Sequence, residues 1–174
     1  YSYCDSKRQH RHSKLYNIKY RTKRSNNLQH RTFGLMNLFE DRLRSWQQLR
    51  ESCAIMPVDR CLDSINRWWF QLPWQPYYLH WDDIKVWPDP WQLLSDNIYC
   101  DIARGLGIVY TITMLDRMDL QDSRLVEEDQ NNLVLIQSRK YILNYSPDDI
   151  LNTYLESGKV RRELTQQQIK QKLR

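Results

Sequence analysis

The sequence predicts an α+β domain behind a basic arm, and three observations carry that prediction. Apolar residues recur at helical spacing over 38–70, short β-branched runs follow over 108–145, and the excess positive charge is confined to residues 1–35. The predicted order is an N-terminal helical hairpin, a Trp/Pro-rich connection, a central helix, a small antiparallel sheet and C-terminal helices. With 174 residues, 41% apolar and 12% aromatic, the chain can fill one core and is short for two. The predicted division is 1–35 as arm, 36–158 as the single domain and 159–174 as a polar C-terminal helix or tail.

Residues 1–35 carry nine Lys and Arg against one Asp, or 9 − 1 = +8, whereas residues 36–174 carry 17 basic and 20 acidic groups, or −3. The arm holds His10, His12 and His30 and no sustained apolar period, so it reads as disordered. Two readings of it stand. It is a polyanion-binding arm acting through Lys7, Arg8, Arg11, Lys14, Arg21, Lys23 and Arg24, or it is upstream sequence attached to a domain that starts at Met36. Cys4, His10 and His12 lack a fourth spaced ligand, so no metal site is predicted there.

From Leu38 to Cys53, the side chains of Phe39, Leu43, Trp46, Leu49 and Cys53 paint one helical stripe. Pro57 suits the first turn of a second helix, on which Val58, Cys61, Leu62, Ile65, Trp68 and Trp69 share a face. Residues 71–90 hold four of the six prolines, and six of the seven tryptophans lie between Trp68 and Trp91. That composition predicts an extended aromatic connection rather than a long helix or central strand. Its rings Trp74, Tyr77, Tyr78, Trp81 and Trp87 form the candidate partner-binding set, with Trp74, Tyr77 and Tyr78 expected at the surface. Lys85 is the one cation of the segment beyond Arg67 at its edge, which argues against a nucleic-acid groove.

Asp89-Pro90 is a helix start, an N-cap carboxylate followed by proline at the first helical position. The helix is expected to reach about Arg104, to bury Trp91, Leu94, Ile98, Ile102 and either Cys100 or Ala103, and to end at Gly105 and Gly107. "IVYTITML" (108–115) then reads as a strand, followed by an acidic loop over 116–132. A hairpin of 133–136 and 141–145 comes next, then a helix capped by Ser146 and closed by Gly158. The final "KVRRELTQQQIKQKLR" is polar and helix-prone, with Leu164 and Ile169 too few to demand burial.

Several chemistries are excluded early. Four glycines without a phosphate-binding fingerprint leave no nucleotide cofactor to expect, and the irregular spacing of Cys4, Cys53, Cys61 and Cys100 gives neither a zinc pattern nor a disulfide framework. Adjacent Asp82 and Asp83 on an extended chain point apart, which disfavours a shared metal. The N-terminus is basic without an apolar run behind it, and no apolar stretch approaches the roughly 20 residues of a membrane span. The expected setting is therefore a soluble, reducing compartment, with no cofactor and no membrane partner.

Cys100 has two readings, a packed apolar thiol or a nucleophile. "CDIARGLG" (100–107), followed by "NNLVLI" (131–136) and "YILNY" (141–145), is similar to the core of transglutaminase-like and papain-like cysteine enzymes. The resemblance implies the nucleophile's place for Cys100, the histidine's place for Asn132 or Asn131, and the orienting place for Asn144. An amide at the histidine's place neither accepts a proton near neutral pH nor promotes the thiolate, so the resemblance implies an inactive relative. His80 precedes the cysteine and would restore a base only by approaching from the Trp/Pro segment. The stretch "WPDPWQLL" with "CDIARGLGIVYT" also resembles small proteins encoded by T4-like phages of marine bacteria, which implies a phage accessory or virion-assembly protein without a reaction.

Three functions are expected in this order: a non-enzymatic phage-type structural, assembly or accessory protein contacting other proteins, a cysteine-dependent amidase, peptidase or acyl transferase built on Cys100, and a nucleic-acid-associated protein acting through its arm. The last is checked by polyanion binding: affinity that falls steeply with salt and disappears when residues 1–35 are deleted supports it, and unchanged binding after deletion refutes it.

Overall fold

The structure is a computed structural model that describes residues 38–129, 131–147 and 158–173. Helices α1 (Phe39–Cys53) and α2 (Val58–Phe70) form the predicted hairpin. Their stripes meet through Trp46, Cys53, Cys61, Ile65 and Trp69, all fully buried. Two arginines from later in the chain tie down the helix ends. Arg104 donates to the carbonyls of Phe70 and Leu72 at 3.2 and 2.8 Å, and Arg117 donates to those of Cys53 and Met56 at 2.6 and 2.7 Å. These carbonyls lie at or just beyond the C-terminal turns, where intrahelical donors run out.

The Trp/Pro connection lacks regular helix or strand apart from a 3₁₀ stretch at Trp81–Val86, and it turns at Pro76 and Tyr77. Helix α3 (Pro90–Asp96) starts as predicted, with the Asp89 carboxylate accepting the Gln92 N–H at 2.8 Å. It stops ten residues earlier than Gly107 would have it, at Asn97, whose backbone is left-handed (φ 54°). The chain runs extended to Cys100 and then forms α4 (Asp101–Leu115), which contains both glycines and the whole of the expected 108–115 strand. Two causes explain the difference. Tyr99 pairs with the backbone of Trp74, which holds the chain extended between the two helices. Every residue of α4 from Ile102 to Thr113 is buried, so no polar stripe marks the helical period, and β-branched residues prevail in its second half.

The glycines of α4 allow close approach instead of ending the helix. A methyl group at Gly107 would collide with the indole of Trp69, and one at Gly105 would lie 2.5 Å from Leu125 Cδ1 and 3.1 Å from Asn144 Nδ2. One turn beyond Gly107, the Thr111 hydroxyl accepts the indole N–H of Trp46 at 2.8 Å and of Trp69 at 2.9 Å, and donates to the Gly107 carbonyl at 2.8 Å. Its hydrogen-bonding capacity is filled. Trp46 and Trp69 also meet edge to face, as do Trp68 with Trp69 and Trp69 with Tyr99.

The other side of α4 rests on a four-stranded antiparallel sheet ordered β3-β2-β1-β4. β2 (Asn131–Ile136) and β3 (Tyr141–Leu143) are the expected hairpin. β1 (Arg124–Glu128) arises within the expected acidic loop, and β4 (Val160–Thr165) within the segment expected as polar helix or tail. In both, charged side chains outnumber apolar ones, so neither strand is legible without its neighbour. Leu125, Val134, Ile136, Leu143 and Leu164 join the main core, while Val126, Leu133 and Leu135 form a small cluster.

Thr165 then opens a capping box for α5 (Gln166–Lys172), whose Ile169 is fully buried and whose Lys172 ammonium donates to the Ile84 carbonyl at 2.8 Å. Leu164 and Ile169 are thus core residues, and the segment after Gly158 belongs to the same unit as the rest of the chain from Met36 on. Glu128 holds β1 to its surroundings through a two-pronged ion pair with Arg139 and a hydrogen bond from the Gly158 N–H. Of the helix expected between Ser146 and Gly158, residues 148–157 lie outside the described residues. Among the described residues no helix is long and apolar enough to cross a membrane.

Thr111→Val should destabilise the fold by about 1–3 kcal/mol for each indole N–H it strands, and Gly107→Ala should cost about 1–3 kcal/mol by overpacking. Urea unfolding of the purified variants measures both, with an unchanged midpoint for Thr111→Val the outcome that contradicts this account.

Candidate functional site

The start of α4, the start of β2 and the residue after β3 converge on one another. Cys100 is the N-cap residue of α4, and its side chain makes no capping bond. Its Sγ instead accepts the backbone N–H of Leu79 at 3.4 Å, and the residue is 5% exposed. Beside it, the Asn144 amide nitrogen donates to the carbonyl of Asp101 at 2.8 Å and to the carbonyl of Asn132 at 2.6 Å. Asn144 therefore bridges the helix bearing Cys100 to the strand bearing Asn132. Its left-handed backbone (φ 69°) is one that asparagine adopts more readily than most residues.

Asn66 on α2, a residue for which the sequence reading assigned no role, supports this junction. It is buried, accepts the Asn144 N–H at 2.9 Å and donates to the Tyr145 carbonyl at 2.9 Å. A polar amide one position beyond Ile65 on an apolar helical face was the available signal, because a buried amide demands partners.

At the histidine's place of the resemblance, Asn132 accepts the indole N–H of Trp81 through Oδ1 at 2.8 Å. The site therefore holds a thiol and two amides. His80 is exposed, its carbonyl accepts the Trp87 indole N–H at 2.8 Å, and no hydrogen bond joins its imidazole to Cys100 among the described residues. The base that the sequence reading sought from the Trp/Pro segment is not engaged with the thiol.

The Trp/Pro segment instead straps the site. Trp74 donates its indole N–H to the Asp101 carboxylate at 3.0 Å, Gln75 donates its backbone N–H to the Tyr99 carbonyl at 3.1 Å, and Tyr78 bonds the Asp96 carboxylate through its hydroxyl. Burial and the Asp96 carboxylate push the Tyr78 phenol well above its ordinary value, so it stays a donor at physiological pH. Of the partner-binding set, Trp74 and Tyr77 are exposed and Tyr78 is half-buried. Trp81 and Trp87 are buried, stacked edge to face at 5.2 Å, and are core residues, because burying their rings also provides acceptors for both indole N–H groups. Trp91, expected inside, is 47% exposed with one edge on Trp46.

Lys7, Arg8, Arg11, Lys14, Arg21, Lys23 and Arg24, together with Cys4, His10 and His12, lie outside the described residues. Among the described residues no cluster of three or more His, Cys, Asp or Glu side chains could hold a metal, and Asp82 forms an ion pair with Arg162 at 3.0 Å. Comparison with family models, curated proteins and solved structures finds no match for the chain.

Asn144→Asp should replace a two-fold donor with a carboxylate facing two carbonyl oxygens. The variant should lose at least about 2 kcal/mol of stability at neutral pH. The folded-state pKa of the introduced carboxyl would lie above its unfolded value, so acidification through that raised value should recover part of the loss. Denaturation midpoints at pH 7 and pH 5 measure the effect, and equal deficits at the two pH values would contradict it.

Proposed function

We propose that this protein works without catalysis, as an accessory or assembly protein of the phage type that contacts other proteins through the strap over Cys100. Tyr77 carries the reading. It is 84% exposed and held at φ 60°, a left-handed backbone conformation that disfavours a bulky aromatic residue. Folding gains little from so exposed a ring, and strain without a packing return points to a role outside the fold. Trp74, 43% exposed, stands three residues away, with its indole fixed by Asp101. A rigid aromatic pair on a short strap is the kind of feature that anchors a protein interface.

The absence of catalysis is supported by what surrounds the thiol. Cys100 is covered by the strap and Asn132 is committed to Trp81. A helix headed by a cysteine and backed by an antiparallel sheet accords with the likeness to thiol enzymes. On this reading the framework persists while its base has been replaced by an amide.

The experiment pairs association with thiol reactivity. Purified full-length protein should self-associate in sedimentation velocity or retain a virion component. Tyr77→Gly, which relieves the strain and removes the ring, should abolish that association while leaving the unfolding midpoint unchanged or higher. Alkylation of native protein by iodoacetamide should be about tenfold or more slower at Cys100 than for free cysteine. A monomer that binds nothing overturns the interaction reading, and rapid, selective alkylation of Cys100 overturns the non-catalytic one.

A further inference from the structure

The connected end of the helical hairpin holds a pair of thiols outside the site under the strap. Cys53 is the last residue of α1 and Cys61 lies in the opening turns of α2; both are free and fully buried. Cys53 Sγ donates to the Cys61 carbonyl oxygen at 3.7 Å, and each thiol perturbs the ionisation of the other. The surrounding packing thus brings the Cys53 thiol against Cys61, eight residues on in sequence. We propose that Cys53 and Cys61 are an oxidation site that closes to an intramolecular disulfide across the hairpin.

The neighbourhood divides the labour of thiol–disulfide exchange between the two residues. The neighbouring Cys53 thiol and the guanidinium of Arg117 favour the thiolate of Cys61 against the opposing effect of burial, while the Cys53 thiol stays protonated. Arg117 is fixed there by its bonds to the Cys53 and Met56 carbonyls and by its ion pair with Asp119 at 2.6 Å. Cys61 is accordingly the attacking sulfur. Access requires the 54–57 connection to open, which breaks the Arg117 bonds to the Cys53 and Met56 carbonyls; Ile55 at its centre is 90% exposed and has no apolar cover to lose.

With glutathione disulfide as oxidant, the Cys61 thiolate attacks one of its sulfurs. That S–S bond breaks, a mixed disulfide forms on Cys61, and one glutathione leaves as thiolate and takes a proton from solvent. The Cys53 sulfur, giving its proton to solvent, then attacks Cys61 sulfur and expels the second glutathione, which is protonated in turn. Two protein thiols are oxidised, one glutathione disulfide is reduced to two thiols, and a disulfide links the end of α1 to the start of α2. The link shortens the reach of the unfolded chain and so stabilises the hairpin against which α4 packs.

Full-length protein is equilibrated with glutathione buffers of increasing oxidised fraction, trapped with acid, alkylated while unfolded and digested with trypsin. Cleavage after Arg60 separates the two cysteines, so the disulfide is read as residues 51–60 joined to residues 61–67. The expected result is that this linked pair accumulates, disappears with dithiothreitol, and is accompanied by a higher unfolding midpoint. Cys53 and Cys61 both still alkylated in buffers that oxidise Cys4 overturn the proposal, as do separate glutathione adducts or linkage of either residue to Cys4 or Cys100. Cys61→Ser serves as control: the midpoint gain should vanish with it, and a gain that persists assigns the stabilisation elsewhere and overturns the lock.

Discussion

The fold turns on the contact between two indoles and one turn of the central helix. Trp69 can lie against α4 only because position 107 has no side chain, and its N–H, with that of Trp46, finds an acceptor only because Thr111 stands one turn on. The same hydroxyl returns its proton to the Gly107 carbonyl, so polar and apolar demands are met within one helical turn. A buried indole brings a large apolar area and one donor that must be satisfied. This arrangement satisfies two such donors with one oxygen and holds both helices of the hairpin on the same face of α4.

From that contact the rest of the architecture follows outward. With one face of α4 closed by tryptophans, the other is free for the sheet, and Gly105 lets Leu125 and Asn144 approach the backbone. Asn144 fastens the head of α4 to β2, and Asn66 fastens Asn144 to α2. The result is a junction in which the Asn144 amide nitrogen and both polar atoms of the Asn66 amide are bonded, while Asn144 Oδ1 is buried without a partner. Its side chains are the Asn144 amide bonded to two backbone carbonyls and the Asn132 amide bonded by an indole N–H, beside a thiol that accepts the Leu79 N–H.

The Trp/Pro segment shows how one composition can serve two ends. Trp81 and Trp87 turn inward and find acceptors in Asn132 and the His80 carbonyl, while Trp74 and Tyr77 stay outside on the part that crosses Cys100. Counting aromatic residues along the chain does not separate these roles. Their difference comes from which rings find an acceptor inside, a property of residues up to 51 positions away.

The sequence by itself determined the α+β class, the amphipathic hairpin, the Asp89-Pro90 helix start and the β2–β3 hairpin, because each is written in local periodicity or in a capping side chain acting within a few residues. A likeness in element order also set Cys100, Asn132 or Asn131, and Asn144 as candidates, and the structure joins Asn144 to the Asp101 and Asn132 carbonyls. Only the tertiary structure decided that Gly105 and Gly107 lie within a helix, that 108–115 is helical, that β1 and β4 exist, and that the Cys100 thiol accepts the Leu79 N–H with no hydrogen bond to His80 among the described residues. A helix buried on every side has no polar period to reveal it, and a charged strand is stabilised by the neighbour it pairs with. A glycine that ends one helix cannot be told from one that admits an indole until the indole is in place.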